Sequence, residues 1–384
     1  MNNKIDWPTW PRFGKDAELA VLRVIRSNQL FAAEEVKNFE RSFGKYIGTR
    51  YAIGVGNATH GLHLALAALD IGLGDEVIVT PYSWISSASC VLMQNAIPVF
   101  ADIEAKSFGI DPQSLESKIS ARTKAIIVVH MFGYPCEIEE ILRIGVKYNI
   151  PIIEDASHAF GAKVHGRNIG TFGVISVYSL HQRKSLSVGD GGIICTDDPK
   201  IFESLHRLRS FGHDELSYNY RMTEFAGALG HLGLQTLDDE NEIRRDNFSL
   251  LLDGTRSDKL PISIVEPRPF EKAVFHAVLF TVDIPIRNLD EKLMTLQEIG
   301  VPIRKTWSPL HRHSHFNAVG RIPARGLPWQ FEGYDGQMKG VSYAELELPV
   351  VVDYCPNRLL ELYVHPTAGI KEMEFFISKV KELF

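Results

Sequence analysis

Two neighbouring stretches of this 384-residue sequence carry side chains that suit the binding and activation of a small organic molecule. Asp155 follows an apolar, strand-like run, and His158 lies three residues further on. Lys184 lies in a polar loop between Ser179 and the glycine-rich turn 189–192. An acidic residue at a strand end meets ligands in many enzymes, and glycines permit close backbone approach. Taken singly, Asp155 is better explained as a helix cap, and Lys184 as a solvated surface residue.

Two earlier stretches supply features of a different kind. Residues 54–60 place a strand end before a helix start, where backbone amides can bind an anion. A dinucleotide-binding fingerprint is excluded because Thr59 replaces its third glycine, and the sequence contains no P-loop. Trp84 follows the next predicted strand and has the shape to stack on a flat ring, although a lone tryptophan more commonly fills a core.

The order and spacing of these features together predict a pyridoxal phosphate site. This cofactor acts as an electron sink when its pyridine nitrogen is protonated, which calls for a carboxylate such as Asp155. A lysine amine, here Lys184, must hold the cofactor covalently and later move protons. Its phosphate needs amides and hydroxyls, which the 54–60 segment and Ser179 offer. The ring needs a flat neighbour, for which Trp84 is the candidate.

The elements that must position these residues follow from the hydrophobic pattern. Short β-rich runs alternate with helical patterns over residues 1–240, which predicts an α/β fold with a mostly parallel sheet covered on both faces. Ligands bind at the carboxyl ends of such strands, where the predicted site residues lie. The predicted strands are 51–55, 76–79, 98–101, 124–130 and 151–154, and the predicted helices are 60–69, 86–94 and 137–148.

The pattern changes in the last third of the chain. The charged stretch 238–246 predicts the start of a long helix, and a closing helix is predicted at 371–384. Strand-like runs lie within 261–283 and 301–307, and the glycine- and proline-rich stretch 318–342 is expected to be a long loop. We therefore expect an N-terminal arm and large cofactor-binding domain over 1–240, and a small α+β domain over 241–384.

Composition excludes several classes of protein. Forty-one basic against 47 acidic residues give a net charge of −6, without the basic face of a nucleic-acid binder. No apolar run is long enough for a membrane helix, and the N-terminus lacks the apolar core of a signal peptide. Four cysteines without a C-x-x-C pair favour reduced thiols over disulfides or zinc. These features predict a cytoplasmic protein with no bound metal.

The sequence resembles the DegT/DnrJ/EryC1/StrS family of sugar aminotransferases, within the fold-type I pyridoxal phosphate enzymes. The most specific matching motifs are 154–162, 179–192 and 219–224, and the resemblance extends from about Phe13 to Phe384. It implies a large domain with a mostly parallel, seven-stranded sheet and a smaller C-terminal α+β domain. It also implies a homodimer whose two active sites are shared between the subunits.

The resemblance also implies roles for individual residues. Lys184 would hold the cofactor covalently, Asp155 would pair with its pyridine nitrogen, and His158 would lie near its phenolic oxygen, a place more often filled by glutamine. These three are the implied catalytic residues. Further implied contacts are Trp84 on the ring, Ala58, Thr59 and Ser179 at the phosphate, Asn219 at the phosphate of the neighbouring subunit, and Arg221 and His311 at the substrate.

The activity implied is transfer of an amino group from glutamate or glutamine to a keto sugar, in amino-sugar, polysaccharide or antibiotic-sugar biosynthesis. A nucleotide-linked keto sugar is the favoured acceptor. A keto-cyclitol such as an inosose is the alternative, because the segment 7–11, Trp-Pro-Thr-Trp-Pro, is similar to cyclitol-type members. Lysine rather than histidine at position 184 favours transamination over the family's sugar dehydratases. The intact constellation argues against a non-catalytic regulator.

Two departures from the family pattern point to an unusual substrate branch. Residues 57–59 are Asn-Ala-Thr where the family frequently has Ser-Gly-Thr, and residues 181–183 before the lysine are not the commonest version. A group of basic residues is a candidate receptor for a diphosphate or, equally, a solvated rim. Its members are Arg304, Lys305, His311 and Arg312.

Overall fold

The computed structural model describes residues 4–211, 215–256, 260–317, 328 and 331–384. The helices are α1 Lys15–Ser27, α2 Glu34–Ile47, α3 Ala58–Ala68, α4 Ser86–Met93, α5 Pro112–Ser117, α6 Ile138–Tyr148, α7 Pro199–Arg209, α8 Glu224–Arg256, α9 Leu289–Glu298, α10 Ser314–Asn317, α11 Pro349–Tyr354 and α12 Ile370–Leu383. The strands are β1 Tyr51–Val55, β2 Glu76–Val79, β3 Ile97–Phe100, β4 Thr123–Val129, β5 Ile152–Asp155, β6 Lys163–Val164, β7 Arg167–Asn168, β8 Ile175–Ser179, β9 Gly192–Thr196, β10 Ile262–Ile264, β11 Glu271–Lys272, β12 Val278–Val282, β13 Ile303–Lys305 and β14 Leu359–Leu362.

A seven-stranded sheet forms the centre of the large domain. Its order is β1-β9-β8-β5-β4-β2-β3. The strands from β8 to β3 are parallel, and β9 pairs antiparallel with both of its neighbours. Strands β2, β3 and β5 are buried along their whole length, as expected for apolar strands covered by helices on both faces. The predicted α/β fold class is confirmed.

The topology brings the predicted site residues to one edge of this sheet. Asp155 ends β5, Ser179 ends β8, and both strands run in the same direction. The turn after β1 leads directly into α3, whose first residue is Ala58. Because parallel strands present their carboxyl ends at a common edge, residues separated by many positions converge there.

Helix α8 runs through the predicted domain boundary at residue 240. It begins at Glu224, well before the charged stretch that predicted its start. The early part of α8 is rich in glycine, which lowers intrinsic helix propensity and hides the pattern. A Cβ at Gly227 would lie 2.7 Å from the Val36 amide nitrogen, so close packing on α2 stabilises this part instead.

A second, antiparallel sheet organises the C-terminal part of the chain. Its order is β10-β12-β14-β13, and α12 packs against α8 beside it. Of the stretch expected to be a long loop, residues 318–327 and 329–330 lie outside the described residues, and 331–342 form turns without helix or strand. In the described ranges, no helix is both long and apolar enough to cross a membrane.

Candidate active site

A cavity of about 590 Å³ opens at the carboxyl edge of the large sheet. Its volume lies in the range of small-molecule and cofactor sites. Most of the sequence-predicted residues line it, namely Ala58, Thr59, Trp84, Asp155, His158, Ser179 and Lys184. The structure therefore brings together side chains from four separate segments of the chain, whereas Asn219, Arg221 and His311 are not among the lining residues.

The Lys184 amine and the His158 ring are in direct contact, with Nζ 2.5 Å from Nε2. The Nδ1 atom of His158 accepts a hydrogen bond of 3.2 Å from the Phe132 amide. In a neutral imidazole the other nitrogen then carries the proton, so we assign the hydrogen to Nε2. A nitrogen that donates pairs with a lone pair, so this geometry fits the neutral form of the Lys184 amine.

Burial acts on both groups in the same direction. It lowers the pKa of Lys184 to about 8, partly opposed by the charge of Asp155. Burial, together with the neighbouring Lys184 charge, lowers the pKa of His158 well below its ordinary value. A neutral lysine is a nucleophile and a proton acceptor, which an exposed lysine near pH 7 is not.

Two other rings lie nearly parallel to the His158 ring and close to it. Phe132 stacks at a centroid distance of 5.4 Å, and His276 stacks at 4.5 Å, each within 9° of parallel. Both are buried. Neither residue was predicted from the sequence: Phe132 follows the carboxyl end of β4, where a ligand contact is expected, but no motif marks His276. The stack fixes the plane of the imidazole and hence the direction of Nε2.

The Asp155 carboxylate is buried and is hydrogen-bonded by neutral donors. Its Oδ2 accepts a bond of 2.8 Å from the Ser87 hydroxyl, and its Oδ1 accepts one from the Ser157 amide. Ser83 in turn lies 2.7 Å from Ser87. No helix begins after Asp155, so it is not a helix cap. A buried carboxylate with only neutral donors is suited to pair with a cationic ligand nitrogen.

The opposite end of the cavity is built to receive an anion. The Asn57 side chain caps α3, because its Oδ1 accepts the His60 amide at 2.9 Å, and Asn57 also lines the cavity. The amides of Ala58 and Thr59 are in the first helical turn, where no intrahelical acceptor reaches them. A Cβ at Gly192 would lie 2.7 Å from the Ala58 nitrogen, so only glycine lets β9 approach this turn.

Three predicted contacts lie elsewhere. Asn219 is exposed, and its Oδ1 accepts a 3.1 Å bond from the Arg221 guanidinium. That guanidinium is sandwiched between the rings of Phe31 and Phe211. His311 is fully buried with its ring 6.3 Å from that of Phe100, and burial lowers its pKa to about 4. The structure thus does not place His311 at the cavity, because apolar packing draws it into the interior.

The basic residues proposed for a diphosphate do not converge either. Arg304 lines the cavity, but it is ion-paired with buried Glu361 and hydrogen-bonded to the Tyr363 hydroxyl at 2.9 Å. Lys305 is paired with Asp290 at 2.6 Å. Arg183, directly before Lys184, is an exposed cation on the cavity wall and was not predicted from the sequence as a substrate contact.

Comparison with known proteins agrees with this geometry. Residues 11–332 match the model of the DegT/DnrJ/EryC1/StrS aminotransferase family. The chain belongs to this family. The predicted family, the fold-type I architecture and the transaminase class are confirmed.

Among its relatives is dTDP-3-amino-3,6-dideoxy-alpha-D-galactopyranose transaminase of Aneurinibacillus thermoaerophilus, 36% identical over 77% of this chain and 84% of that protein. L-glutamine:2-deoxy-scyllo-inosose aminotransferase of Streptoalloteichus tenebrarius is 29% identical over 90% of this chain and 86% of that protein. Among solved structures, an aminotransferase from Psychrobacter cryohalolentis superposes with a TM-score of 0.88 at 29% identity, covering 98% of each chain.

Proposed function

We propose that this protein binds pyridoxal phosphate on Lys184 and transfers an amino group from glutamate or glutamine to the keto group of a sugar. One observation carries the proposal. The Lys184 amine lies 2.5 Å from the Nε2 atom of His158, in the same cavity as the buried Asp155 carboxylate and the N-terminus of α3. A nucleophilic amine, an acidic partner and an anion site are the three things this cofactor requires.

The residues present fit the cofactor at each end. The carboxylate of Asp155 would hold the pyridinium nitrogen, and the amides of Ala58 and Thr59 would hold the phosphate at the positive end of α3. The Nε2 hydrogen of His158 points toward Lys184 and would donate to the phenolic oxygen beside it. When bound, pyridoxal phosphate supplies the electron sink that makes a proton on the donor's α-carbon labile.

Lys184 carries the proton transfers in this proposal. Its Nζ would take the proton from the α-carbon of the amino donor, because burial lowers the pKa of the amine to about 8 and so raises the fraction of neutral amine near that pH. In the second half-reaction the same atom would return a proton to the carbon that receives nitrogen. The ring stack on His158 and the serines behind Asp155 keep both partners in place while protons move.

The acceptor is proposed to be a keto sugar, with a nucleotide-linked sugar as the first candidate. Its support is the likeness to the dTDP-sugar transaminase and the exposed Arg183 on the cavity wall. A keto-cyclitol is the second candidate, favoured by two observations. The inosose aminotransferase aligns over more of this chain, and Lys305 and His311 are not available to a diphosphate.

We also propose a homodimer with shared sites. The Oδ1 atom of Asn219 is occupied by Arg221, which leaves the amide Nδ2 as an exposed donor suited to a phosphate of the neighbouring subunit. The free, buried thiols of all four cysteines support the proposed cytoplasmic location.

The absorbance spectrum of the purified protein with pyridoxal phosphate, before and after L-glutamate, tests the function. We expect the band of the lysine-bound cofactor to bleach with release of 2-oxoglutarate, and Lys184→Ala to bind cofactor without turnover. No band in the wild type, or full activity in the alanine variant, would refute the assignment. Screening nucleotide keto sugars against inososes with the loaded enzyme then separates the two acceptors.

Mixed dimers test the shared site. Lys184→Ala and Asn219→Ala subunits are each expected to be inactive or weak alone, whereas a mixed dimer carries one site with both residues intact. Recovery of activity on mixing the two variants is the expected result. If mixed dimers are shown to form and activity does not recover, Asn219 contributes to the active site of its own subunit or to none.

A further inference from the structure

The N-terminal arm links the small domain to the active-site loop. Residues 4–14 contain no helix or strand. The Ile5 amide donates to the Ile299 carbonyl at 2.8 Å, and the Thr367 hydroxyl donates to the Thr9 carbonyl at 3.2 Å. These bonds hold the arm along the C-terminal part of the chain and bring Trp10 towards Lys184.

Trp10 contacts the backbone of the lysine directly. Its indole Nε1 donates to the Lys184 carbonyl at 2.9 Å, across 174 positions of sequence. The indole ring stacks on His365 at 5.8 Å and 16°, and the guanidinium of buried Arg244 lies 5.3 Å from the ring centre. Contacts with His365 and Arg244 therefore fix the orientation of the indole ring, and in that orientation its N–H points at the Lys184 carbonyl.

The loop that carries Lys184 is irregular but has contacts of its own: the Gln182 amide donates to the Gly189 carbonyl at 2.8 Å, and the side chains of Leu186 and Val188 are buried. Residues 181–190 form neither helix nor strand, and within them the Lys184 amide donates to the His181 carbonyl at 2.8 Å. In the part of the chain that the structure describes, the Trp10 indole is the hydrogen-bond donor to the Lys184 carbonyl. The peptide of the lysine is thus held from one side by its own loop and from the other by the arm.

We propose that Trp10 is a positioning residue, whose indole fixes the Lys184 peptide so that Nζ stays beside His158. The geometric claim concerns the protein alone, and only its consequence for turnover rests on the proposed transaminase function. Catalysis is sensitive to such positioning, since a displacement of about 1 Å can cost roughly 10²-fold in rate. An irregular loop that lost this bond would let the amine move toward water.

The test removes the N–H and keeps the ring. Trp10→Phe retains an aromatic ring against His365 and Arg244, and benzothienylalanine at position 10 retains the full bicyclic shape with sulfur in place of the N–H. Trp7→Phe is the matched control, because the Trp7 indole nitrogen has no hydrogen-bond partner among the described residues. The benzothienyl variant answers the question if the phenylalanine variant folds poorly.

The first readout needs no cofactor. The cofactor-free full chain is labelled with acetic anhydride at a series of pH values, and the extent at Lys184 is measured by mass spectrometry. We expect both position-10 variants to label faster at high pH, with a midpoint raised by roughly half a pH unit to one unit as the amine becomes hydrated. Trp7→Phe should match the wild type. Unchanged labelling and midpoint in both position-10 variants would overturn the proposal.

The second readout uses the loaded enzyme. We expect kcat with glutamate to fall about tenfold or more in both position-10 variants, with KM for the donor little changed. A merely structural role would lower the melting temperature and leave the labelling midpoint and kcat per folded enzyme unchanged, which also overturns the proposal. If the labelling midpoint moves but the wild type transfers no amino group, the positioning role stands and the proposed function fails.

Discussion

Removing the amine of Lys184 should stabilise the cofactor-free protein. Folding lowers the pKa of this group from 10.5 to about 8 because burial disfavours its charge. Each tenfold change in proton affinity is worth about 1.4 kcal/mol, so near pH 7 the cost to the folded state is about 3 kcal/mol. Lys184→Met keeps the length of the side chain and removes this cost. Loss of the bond to His158 offsets about 1 kcal/mol, leaving a net gain of about 2 kcal/mol.

The pH dependence of the stability difference shows whether the Lys184 charge causes it. Between pH 8 and 10.5 the unfolded lysine binds more protons than the folded one, so the stability of the wild type rises with pH in that window. Lys184→Met lacks this rise, and its advantage is therefore largest below pH 8. From pH 7 to pH 9.5 the difference should shrink by about 2 kcal/mol.

Thermal unfolding of cofactor-free protein, at matched protein concentration and several pH values, measures the difference. In a chain of this length about 2 kcal/mol corresponds to a rise of roughly 2–3 °C in melting temperature at pH 7. Lys371→Met, at an exposed position of α12, is the matched control and should change stability by less than about 0.5 kcal/mol. A Lys184→Met protein no more stable than the wild type, or an advantage that does not narrow with rising pH, would refute the reasoning.

Three further substitutions test the rest of the site. Asp155→Asn should still take up cofactor but lower kcat by about 10²–10³-fold, because a neutral amide does not stabilise a pyridinium; near-normal turnover would contradict the pairing. Ser87→Ala leaves an Asp155 oxygen without its donor and should cost about 1–3 kcal/mol in thermal unfolding, whereas an unchanged melting temperature would show that this bond is dispensable. Gly192→Ala would put a Cβ 2.6 Å from the Asn57 carbonyl carbon and should weaken cofactor binding about tenfold or more in a spectral titration. Gly369→Ala, where the space is open, is its control, and equal affinities would contradict the close-approach argument.

The local hydrophobic pattern was enough to predict the strands of the large domain. The predicted strands 51–55 and 76–79 coincide with β1 and β2, and the other predicted strands differ from the observed ones by a residue or so at their ends. Strands buried on both faces appear as short, continuous apolar runs, and the residues that follow them mark the ligand-binding edge. For that reason the sequence alone predicted that Asp155 ends a strand and that Lys184 lies in a glycine-bounded loop, and both lie at the cavity.

Only the tertiary structure decided the protonation and anchoring of Lys184 and which residues surround it. The Phe132 amide that sets the His158 tautomer, the His276 ring and the Trp10 indole all come from segments remote from Lys184. The burial of His311 and the early start of α8 also depend on packing against distant elements. Sequence spacing records only neighbours along the chain. Proton position, burial and backbone anchoring depend on partners that come together only when the chain folds, which is why no pattern in the sequence marked them.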